Sequence, residues 1–87
     1  MTYAVLLERR ADRELRRLPD TALRRVNSTL EALSSRPIPR GAVKLRGEQS
    51  EGWRVRVGDY RILYTIDDSR RVVTVYRIGH RRDVYLR

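Results

Sequence analysis

The sequence predicts an α+β fold: a β-α-α-β-β-β sandwich in which a helical hairpin packs on one face of a mainly antiparallel, twisted sheet. Two observations predict it. Apolar residues recur at helical spacing between residues 11 and 33, whereas strand-forming residues cluster between residues 43 and 78. The composition is even along the 87 residues, with no internal repeat and no linker, so we expect a single domain spanning 1–87.

One strand and two helices account for the first half. The run TYAVLL, residues 2–7, is typical of a strand. The stretch ERRADRELRRL carries apolar residues at i, i+4 and i+7, which is one helical stripe, and Pro19 ends it. Asp20 is suited to cap a second helix over residues 21–33, whose apolar residues also repeat at helical spacing: Leu23, Val26, Leu30 and Leu33.

The second half is predicted to be strands. Short apolar runs with alternation, separated by polar or glycine-containing turns, are typical of strands. The pair Gly58-Asp59 is typical of a two-residue type II′ hairpin turn and joins the two clearest runs. The predicted strands begin near Val43 and then cover residues 53–57, 60–66 and 72–78.

The hairpin turn also fixes which residues face each other. With two residues in the turn, Val57 lies opposite Tyr60, and residues two apart share a face. The other face then sets Arg56 directly opposite Arg61, and Arg54 opposite Leu63. Like charges that face each other across strands destabilise a sheet, so we infer that this face binds an anion. The opposite, apolar face is the predicted core: Trp53, Val55, Val57, Tyr60, Ile62 and Tyr64.

The last strand extends this face in one of two registers. If the loop over residues 67–71 is odd in length, Arg77 falls opposite Arg61, and the core gains Val72, Tyr76 and Ile78. An even loop would place Arg77 on the core side, where an unpaired charge is costly. We therefore expect Arg77 to add to the basic face.

The net charge indicates the kind of partner. Twenty Lys and Arg against eleven Asp and Glu give +9 at pH 7, and the pI is about 11.2. Only Lys44 among the basic residues is a lysine, and arginine suits phosphate because its planar fork donates two parallel hydrogen bonds. The candidates are nucleic acid, an acidic protein or a membrane surface.

Composition excludes several kinds of site. With no cysteine and one histidine, the chain offers no disulfide, no thiol nucleophile and no zinc site of its own, and we expect no cofactor. No carboxylate pair, glycine-rich phosphate loop or Ser/His/Asp arrangement indicates other chemistry. No run resembles a signal peptide or approaches the roughly 20 apolar residues of a membrane span, so we expect a cytoplasmic protein.

The residues after the last strand favour phosphodiester cleavage. RNA carries its own nucleophile, the 2′-hydroxyl, so an enzyme need only align it, move two protons and stabilise the charge on phosphorus. Arginines stabilise that charge, and nearby cations lower the pKa of a tyrosine such as Tyr85. The arginines of the sheet are flanked by a tail that carries His80, Arg81, Arg82, Asp83 and Tyr85. Further RNA or phosphate contacts are expected from Lys44, Arg46, Arg77, His80 and Arg82.

The chain as a whole resembles the RelE family of bacterial toxins from type II toxin–antitoxin pairs. The matching segments are YAVLLERRADRELRRLP near the start, then KLRG, WRVRVGDYRILYTID and the closing GHRRDVY. The resemblance implies the small β-α-α-β-β-β sandwich already predicted. It also implies an mRNA endonuclease of the ribosomal A site, in contact with 16S rRNA, that cleaves by 2′-hydroxyl attack without a metal and binds a cognate antitoxin protein.

The resemblance implies roles for five residues. Arg54 and Arg56 brace the phosphate or assist the base, and Arg61 stabilises the phosphate. Arg81 lies near the leaving group, and Tyr85 orients or stacks on the substrate and shares the proton transfer. The family pattern has lysines at positions 54 and 56, whereas arginine does not readily release a proton, so the base is Tyr85, His80 or an arginine.

Two other functions stay open at this point. A related toxin of the ParE type poisons DNA gyrase by protein–protein contact and needs no phosphodiester chemistry. A non-catalytic basic module would bind nucleic acid or an antitoxin only, and its affinity for nucleic acid would fall steeply with salt. In either toxin, we expect an amphipathic, partly acidic antitoxin segment to fold across the basic surface.

Overall fold

A computed structural model of the chain describes residues 2–47 and 51–80. Its strands form one sheet in the order β1-β5-β4-β3-β2, in which only the β1–β5 pair is parallel. The predicted α+β class, with both helices on one side of a mainly antiparallel sheet, is confirmed. The elements are β1 (Ala4–Leu7), α1 (Arg9–Arg16), α2 (Asp20–Ser35), β2 (Val43–Lys44), β3 (Trp53–Val57), β4 (Tyr60–Asp67) and β5 (Val72–His80).

The apolar stripes of the two helices meet the sheet in one core. We call the sheet face that carries Val55, Ile62 and Tyr64 the helix face. Burying a side chain of this size contributes about 1.5–3 kcal/mol, so the helix face supplies most of the hydrophobic stabilisation. At 8 and 16 residues, neither helix in the described ranges is long and apolar enough to cross a membrane. The buried core residues are Ala11, Val26, Leu30, Leu33, Val55, Val57, Ile62, Tyr64, Val73, Val75 and Ile78.

The start of α2 differs from the prediction. Asp20 is its first helical residue, and the N-cap is Pro19, with φ −57° and ψ 152° and no side-chain capping hydrogen bond. Proline fixes φ near this value, and its extended ψ turns the Pro19 carbonyl to accept a 2.8 Å hydrogen bond from the Leu23 N–H. The first turn of α2 is therefore held by this hydrogen bond to the Pro19 carbonyl, and not by the side-chain cap that the sequence predicts at Asp20.

The β3–β4 hairpin confirms the predicted register. Gly58 has φ 60°, whereas Asp59 does not have a positive φ, and this combination is that of a type II′ turn. The paired residues are Val57↔Tyr60, Arg56↔Arg61, Val55↔Ile62, Arg54↔Leu63 and Trp53↔Tyr64. The hairpin therefore places its three arginines on one face together with Leu63, and its other apolar and aromatic side chains on the opposite face.

The register of β5 corrects the sequence prediction. The turn holds four residues, 68–71, and Asp67 pairs with Val72. Val73 and Val75 therefore join the core in place of Val72, whereas Ile78 is in the core as predicted.

A β-bulge at Tyr76 explains how Val75 and Ile78, three residues apart on the same strand, both lie in the core. Tyr64 pairs with Val75 and Leu63 pairs with Arg77, so Tyr76 is the extra residue of β5. Arg77 consequently lies opposite Leu63, and the predicted pairing of Arg77 with Arg61 is wrong. The residue opposite Arg61 is Gly79.

Candidate phosphate-binding site

Three arginines share the sheet face that lies away from the helices. We call this surface, which carries Arg54, Arg56 and Arg61, the arginine face. Across the strands, Arg56, Arg61 and Gly79 form one row. Arg54 belongs to a second row, two residues or about 6.6 Å further along β3. The fold therefore brings together the three arginines that the sequence analysis singled out.

Arg61 is almost buried and incompletely hydrogen-bonded. Only 6% of its surface is exposed, and its Nη1 donates to the Tyr60 carbonyl at 3.3 Å. Its Nε lies away from solvent and has no hydrogen-bond acceptor among the described residues, and the same holds for the Nε of Arg54. A buried donor without an acceptor costs about 1–3 kcal/mol. The oxygen atoms of a bound anion would remove that cost.

The charge of this face is not neutralised within the described part of the chain. Arg56 is exposed and lies directly opposite Arg61. In residues 2–47 and 51–80, the ion pairs within 4.0 Å involve Arg10, Arg16 and Arg77, and none involves an arginine of the arginine face. The three guanidinium groups therefore present positive charge that a polyanion can neutralise.

A small apolar cluster borders the arginines on the same face. Leu63 and Tyr76 are buried there, and Leu45 packs against them. The Tyr76 hydroxyl donates to the Glu51 carbonyl at 2.6 Å and accepts from the Glu51 N–H at 3.2 Å, which holds the backbone just before β3 in place. Sequence analysis placed Tyr76 in the main core, because strict alternation along β5 hides the bulge.

Glu14 is a structural residue that sequence analysis missed. β1 ends at Leu7, opposite Val75, so the next part of β5 has no neighbouring strand on that side. Glu14 of α1 takes the place of a strand there, because its carboxylate accepts from the Ile78 N–H at 2.9 Å. The Nε of Arg77 lies 3.1 Å from the same carboxylate. No local pattern identifies a contact between residues so distant in sequence.

This contact changes the interpretation of Arg77. Arg77 is 4% exposed, and its guanidinium is directed to Glu14 of α1. Burial of an arginine is tolerated when a carboxylate pairs with it, and Glu14 supplies that carboxylate. The basis for predicting that Arg77 binds phosphate, its position beside Arg61, is therefore lost.

The remaining predicted residues are dispersed. Lys44 pairs with Trp53 and so belongs to the helix face, where its Nζ lies 5.9 Å from the centroid of the Trp53 ring, a cation–π distance. Arg46 is exposed just after β2. His80 ends β5 and is exposed, with its ring 6.0 Å from that of Tyr60 in an edge-to-face contact. Arg81, Arg82 and Tyr85 lie outside the described residues.

Two tyrosines are held in the protonated form. Burial raises the pKa of Tyr64 to about 12, and its hydroxyl donates to the Pro37 carbonyl at 2.7 Å. The pKa of Tyr3 is also raised, chiefly because its hydroxyl donates to Asp68 at 2.6 Å. Both phenols are donors to protein acceptors, so neither is suited to take a proton from a substrate.

Comparison with known proteins agrees with this fold. Residues 5–85 match the family described as ParE toxin of type II toxin-antitoxin system, parDE. Toxin RelG of Mycobacterium tuberculosis is 37% identical over 87 residues, covering 100% of both chains. These matches define the class as toxins of type II toxin–antitoxin systems. The chain belongs to the RelE/ParE superfamily of these toxins, as the sequence resemblance predicted.

Solved structures give the same result. The archaeal RelE–RelB complex from Pyrococcus horikoshii OT3 has a TM-score of 0.82 and 28% identity, and the match covers 97% of this chain and 100% of that chain. The toxin–antitoxin complex RelBE2 from Mycobacterium tuberculosis also has a TM-score of 0.82, with 35% identity over 93% of this chain and 100% of that chain. The helical hairpin and the mixed sheet are thus shared with both.

Proposed function

We propose that this toxin is a ribosome-dependent mRNA endonuclease that inhibits translation in the cytoplasm. The observation that carries the proposal is the buried Nε of Arg61, a charged donor without an acceptor among the described residues, beside Arg54 and Arg56. A phosphodiester is an anion with oxygen acceptors, and in the transition state of cleavage its charge increases. Donors that are fixed before the substrate arrives stabilise that charge most effectively.

Cleavage proceeds by attack of the 2′-hydroxyl oxygen on the adjacent phosphorus. A base removes the 2′-hydroxyl proton, the bond from phosphorus to the 5′-oxygen breaks, and that oxygen receives a proton. The products are a 2′,3′-cyclic phosphate and a 5′-hydroxyl. Arg61 and Arg54 donate to the phosphate oxygens, while Arg81 acts near the leaving group, as the family resemblance implies. Tyr85, His80 and an arginine stay as the alternatives for the base.

Two further partners follow from this proposal. In the ribosomal A site, the net charge of +9 favours contacts with the backbone of 16S rRNA. A cognate antitoxin neutralises the toxin by laying an amphipathic, partly acidic segment across the arginine face. Similar chains have been solved as complexes of RelE with RelB, which supports an antitoxin partner for this chain.

The experiment that tests the proposal measures mRNA cleavage by the purified protein with and without ribosomes. Arg61→Ala is expected to reduce the cleavage rate by about 100-fold or more, because it removes a donor to the developing charge. The matched control is Arg70→Ala, which removes the same charge from the exposed β4–β5 turn and should retain the parent rate. Equal rates for the two variants would refute the assignment of Arg61.

Gyrase inhibition is the second candidate, because the family that the chain matches is described as the ParE toxin. A supercoiling assay with purified gyrase distinguishes the two. Inhibition of supercoiling without cleavage of mRNA on ribosomes would establish the ParE-like activity instead. Salt-sensitive RNA binding with neither activity would indicate a non-catalytic module.

A further inference from the structure

A cavity of about 320 Å³ lies between the first turn of α2 and the turn of the β3–β4 hairpin. Ala22 lines it from the helix, and residues 57–60 line it from the hairpin. Its volume is at the lower end of the range of small-ligand pockets, about 300–1,000 Å³. The cavity lies on the helix face, because Val57 is buried in the core and Tyr60 pairs with it. It is therefore separate from the arginine face.

Tyr60 gives the cavity an aromatic wall. The sequence predicts this residue in the core, but it is half-buried and does not belong to the core cluster. Its ring contacts the ring of His80, its partner on β5, edge-to-face with the centroids 6.0 Å apart. An aromatic side chain in this position is suited to stack on a nucleobase, because every base has a π-face.

Arg25 places a cation at the same cavity. Its Nη1 lies 3.0 Å from the point where a Cβ of Gly58 would stand, and its Cζ and Nη2 lie 3.6 and 3.7 Å from that point. The guanidinium thus packs on the backbone of the turn, where the glycine leaves room for it. Within residues 2–47 and 51–80 this side chain has no hydrogen bond or ion pair. Its N–H groups are therefore positioned and available to a phosphate.

Asp59 adds an acceptor to the wall of the cavity. Its carboxylate also has no hydrogen bond or ion pair within the described ranges. Cytosine, adenine and guanine carry an exocyclic amino donor, whereas uracil, like thymine, has the O4 acceptor where cytosine has its amino group. A carboxylate accepts from an amino group and repels O4. The cavity therefore combines an aromatic wall, a cation and an acceptor that discriminates against uracil.

The cavity adjoins the arginine face across the tip of the hairpin. Arg61 directly follows Tyr60 on β4, and successive side chains of a strand point to opposite faces of the sheet. The row of Arg56 and Arg61 is the last row on the arginine face before the turn, and the cavity lies beside that turn on the helix face. A single strand of RNA held by the arginines can thus place a neighbouring base in the cavity.

We propose that this cavity, which we call the tip pocket, binds one unpaired nucleobase of the RNA and disfavours uracil. Tyr60 stacks on the base, Asp59 accepts from its exocyclic amino group, and Arg25 donates to the adjoining phosphate. The net charge of +9 favours a polyanion as the occupant. This inference rests on the proposed function, because it assigns a second contact to the RNA that the arginine face binds.

The test compares two short 2′-O-methyl RNAs of equal length, one of cytidine only and one of uridine only, which 2′-hydroxyl attack cannot cleave. Fluorescence anisotropy at one salt concentration gives the two Kd values. Both RNAs carry the same phosphate charge, so the ratio of the Kd values reports base recognition and not electrostatic attraction. The parent should bind the cytidine RNA about ten-fold more tightly, the effect of one hydrogen bond to a charged group.

Asp59→Asn should abolish this preference, because an amide accepts from the amino group of cytosine and also donates to O4 of uracil. Asparagine suits a turn as well as aspartate does, so the variant should keep the fold.

A second variant fills the tip pocket and leaves every charge in place. Ala22→Leu puts a larger side chain on the wall of the cavity and should abolish the preference for cytidine. Leucine is a good helix former, so α2 should be kept. The matched control is Ala32→Leu, the same change at an exposed position of the same helix, which should keep the preference of the parent.

The phosphate contact is tested on the same helix. Arg25→Ala should weaken binding of the cytidine RNA by about ten-fold, because it removes a charge-assisted contact. Arg24→Ala removes the same charge from the neighbouring exposed residue, outside the cavity, and should change the affinity by at most about two-fold. Equal losses in the two variants would overturn the role of Arg25 in the tip pocket.

The outcomes distinguish the tip pocket from the proposed function. Equal affinity of the parent for the two RNAs, or no binding of either, overturns the pocket whatever the parent cleaves. A preference for cytidine that Ala22→Leu and Asp59→Asn both keep also overturns it. If both variants lose the preference but the parent cleaves no mRNA on ribosomes, the pocket is supported and the endonuclease is overturned. If the parent cleaves mRNA but shows no preference, the endonuclease is supported and the pocket is overturned.

Discussion

Arg56 and Arg61 lie directly opposite each other on adjacent antiparallel strands, and neither forms an ion pair within the described residues. Directly opposed like charges destabilise a strand pair by about 0.2–1 kcal/mol relative to neutral residues. The sheet keeps this unfavourable pair although threonine would fit the same position. Unfavourable local interactions of this kind are found where a surface binds a ligand of opposite charge.

Replacing one member of this pair should therefore stabilise the fold. Arg56→Thr is expected to raise the free energy of unfolding by about 0.5 kcal/mol, because it removes the repulsion and adds a β-branched residue to β3. Urea denaturation measures the change, and RNA binding should weaken in the same variant. Arg70→Thr in the exposed turn serves as the control and should leave both unchanged. A less stable Arg56→Thr would show that the pair is not repulsive.

The Glu14–Arg77 pair should be far more important to stability than an exposed ion pair. Glu14→Gln keeps an acceptor for the Ile78 N–H but leaves the charge of Arg77 without this carboxylate. We expect a loss of about 2 kcal/mol, below the range for fully buried pairs because the Glu14 side chain is 23% exposed. The control is Asp12→Asn, which breaks the exposed pair with Arg16 and should cost at most about 0.5 kcal/mol. Equal losses would contradict the structural role of Glu14.

Stability should fall at high pH because of Tyr64. Burial raises the pKa of Tyr64 from 10.0 to about 12. For a group whose pKa is raised by folding, the stabilisation is fully present below the unfolded pKa and is lost as the pH rises through the folded value. Between pH 10 and 12 the parent should thus lose about 2–3 kcal/mol through this residue.

Tyr64→Phe isolates this contribution. The variant loses the hydrogen bond to the Pro37 carbonyl, at a cost of about 1 kcal/mol at neutral pH, but its stability should depend less on pH above 10. Urea unfolding at several pH values measures both effects. Parallel curves for the parent and Tyr64→Phe above pH 10 would show that burial does not perturb this phenol.

Gly52 should tolerate no side chain. It has φ 83°, and a Cβ at this position would overlap the carbonyl oxygen of Tyr64. Gly52→Ala is therefore expected to cost about 3 kcal/mol, from the left-handed backbone and the steric overlap together. Gly47 also has a positive φ, 116°, but open space around the Cβ, so Gly47→Ala should cost only about 1 kcal/mol. Thermal unfolding ranks the two, and a larger loss at Gly47 would contradict the close approach at Gly52.

The sequence determines the β3–β4 hairpin because its signals are local. The Gly58-Asp59 turn and the alternation of apolar residues independently give the same register, and the structure has that register. This was enough to place Arg54, Arg56 and Arg61 on one face.

The prediction failed where distant residues decide the structure. The bulge at Tyr76 breaks the alternation of β5, and no residue near it in sequence signals the bulge. The side chain of Arg77 is then bound by Glu14, 63 residues earlier in the chain. Buried ion pairs between elements so far apart depend on tertiary packing. The periodicity of apolar residues along one strand carries no information about that packing.

The measurement that tests the central claim most directly uses one ribosome-bound mRNA with and without a single 2′-deoxy nucleotide at the cleavage site. If the arginine face supports attack by the 2′-hydroxyl, the all-ribose mRNA should be cut to a 2′,3′-cyclic phosphate and a 5′-hydroxyl. The deoxy mRNA should stay intact at that position while it binds with unchanged affinity. Cleavage of the deoxy mRNA at the same rate would contradict the proposed reaction.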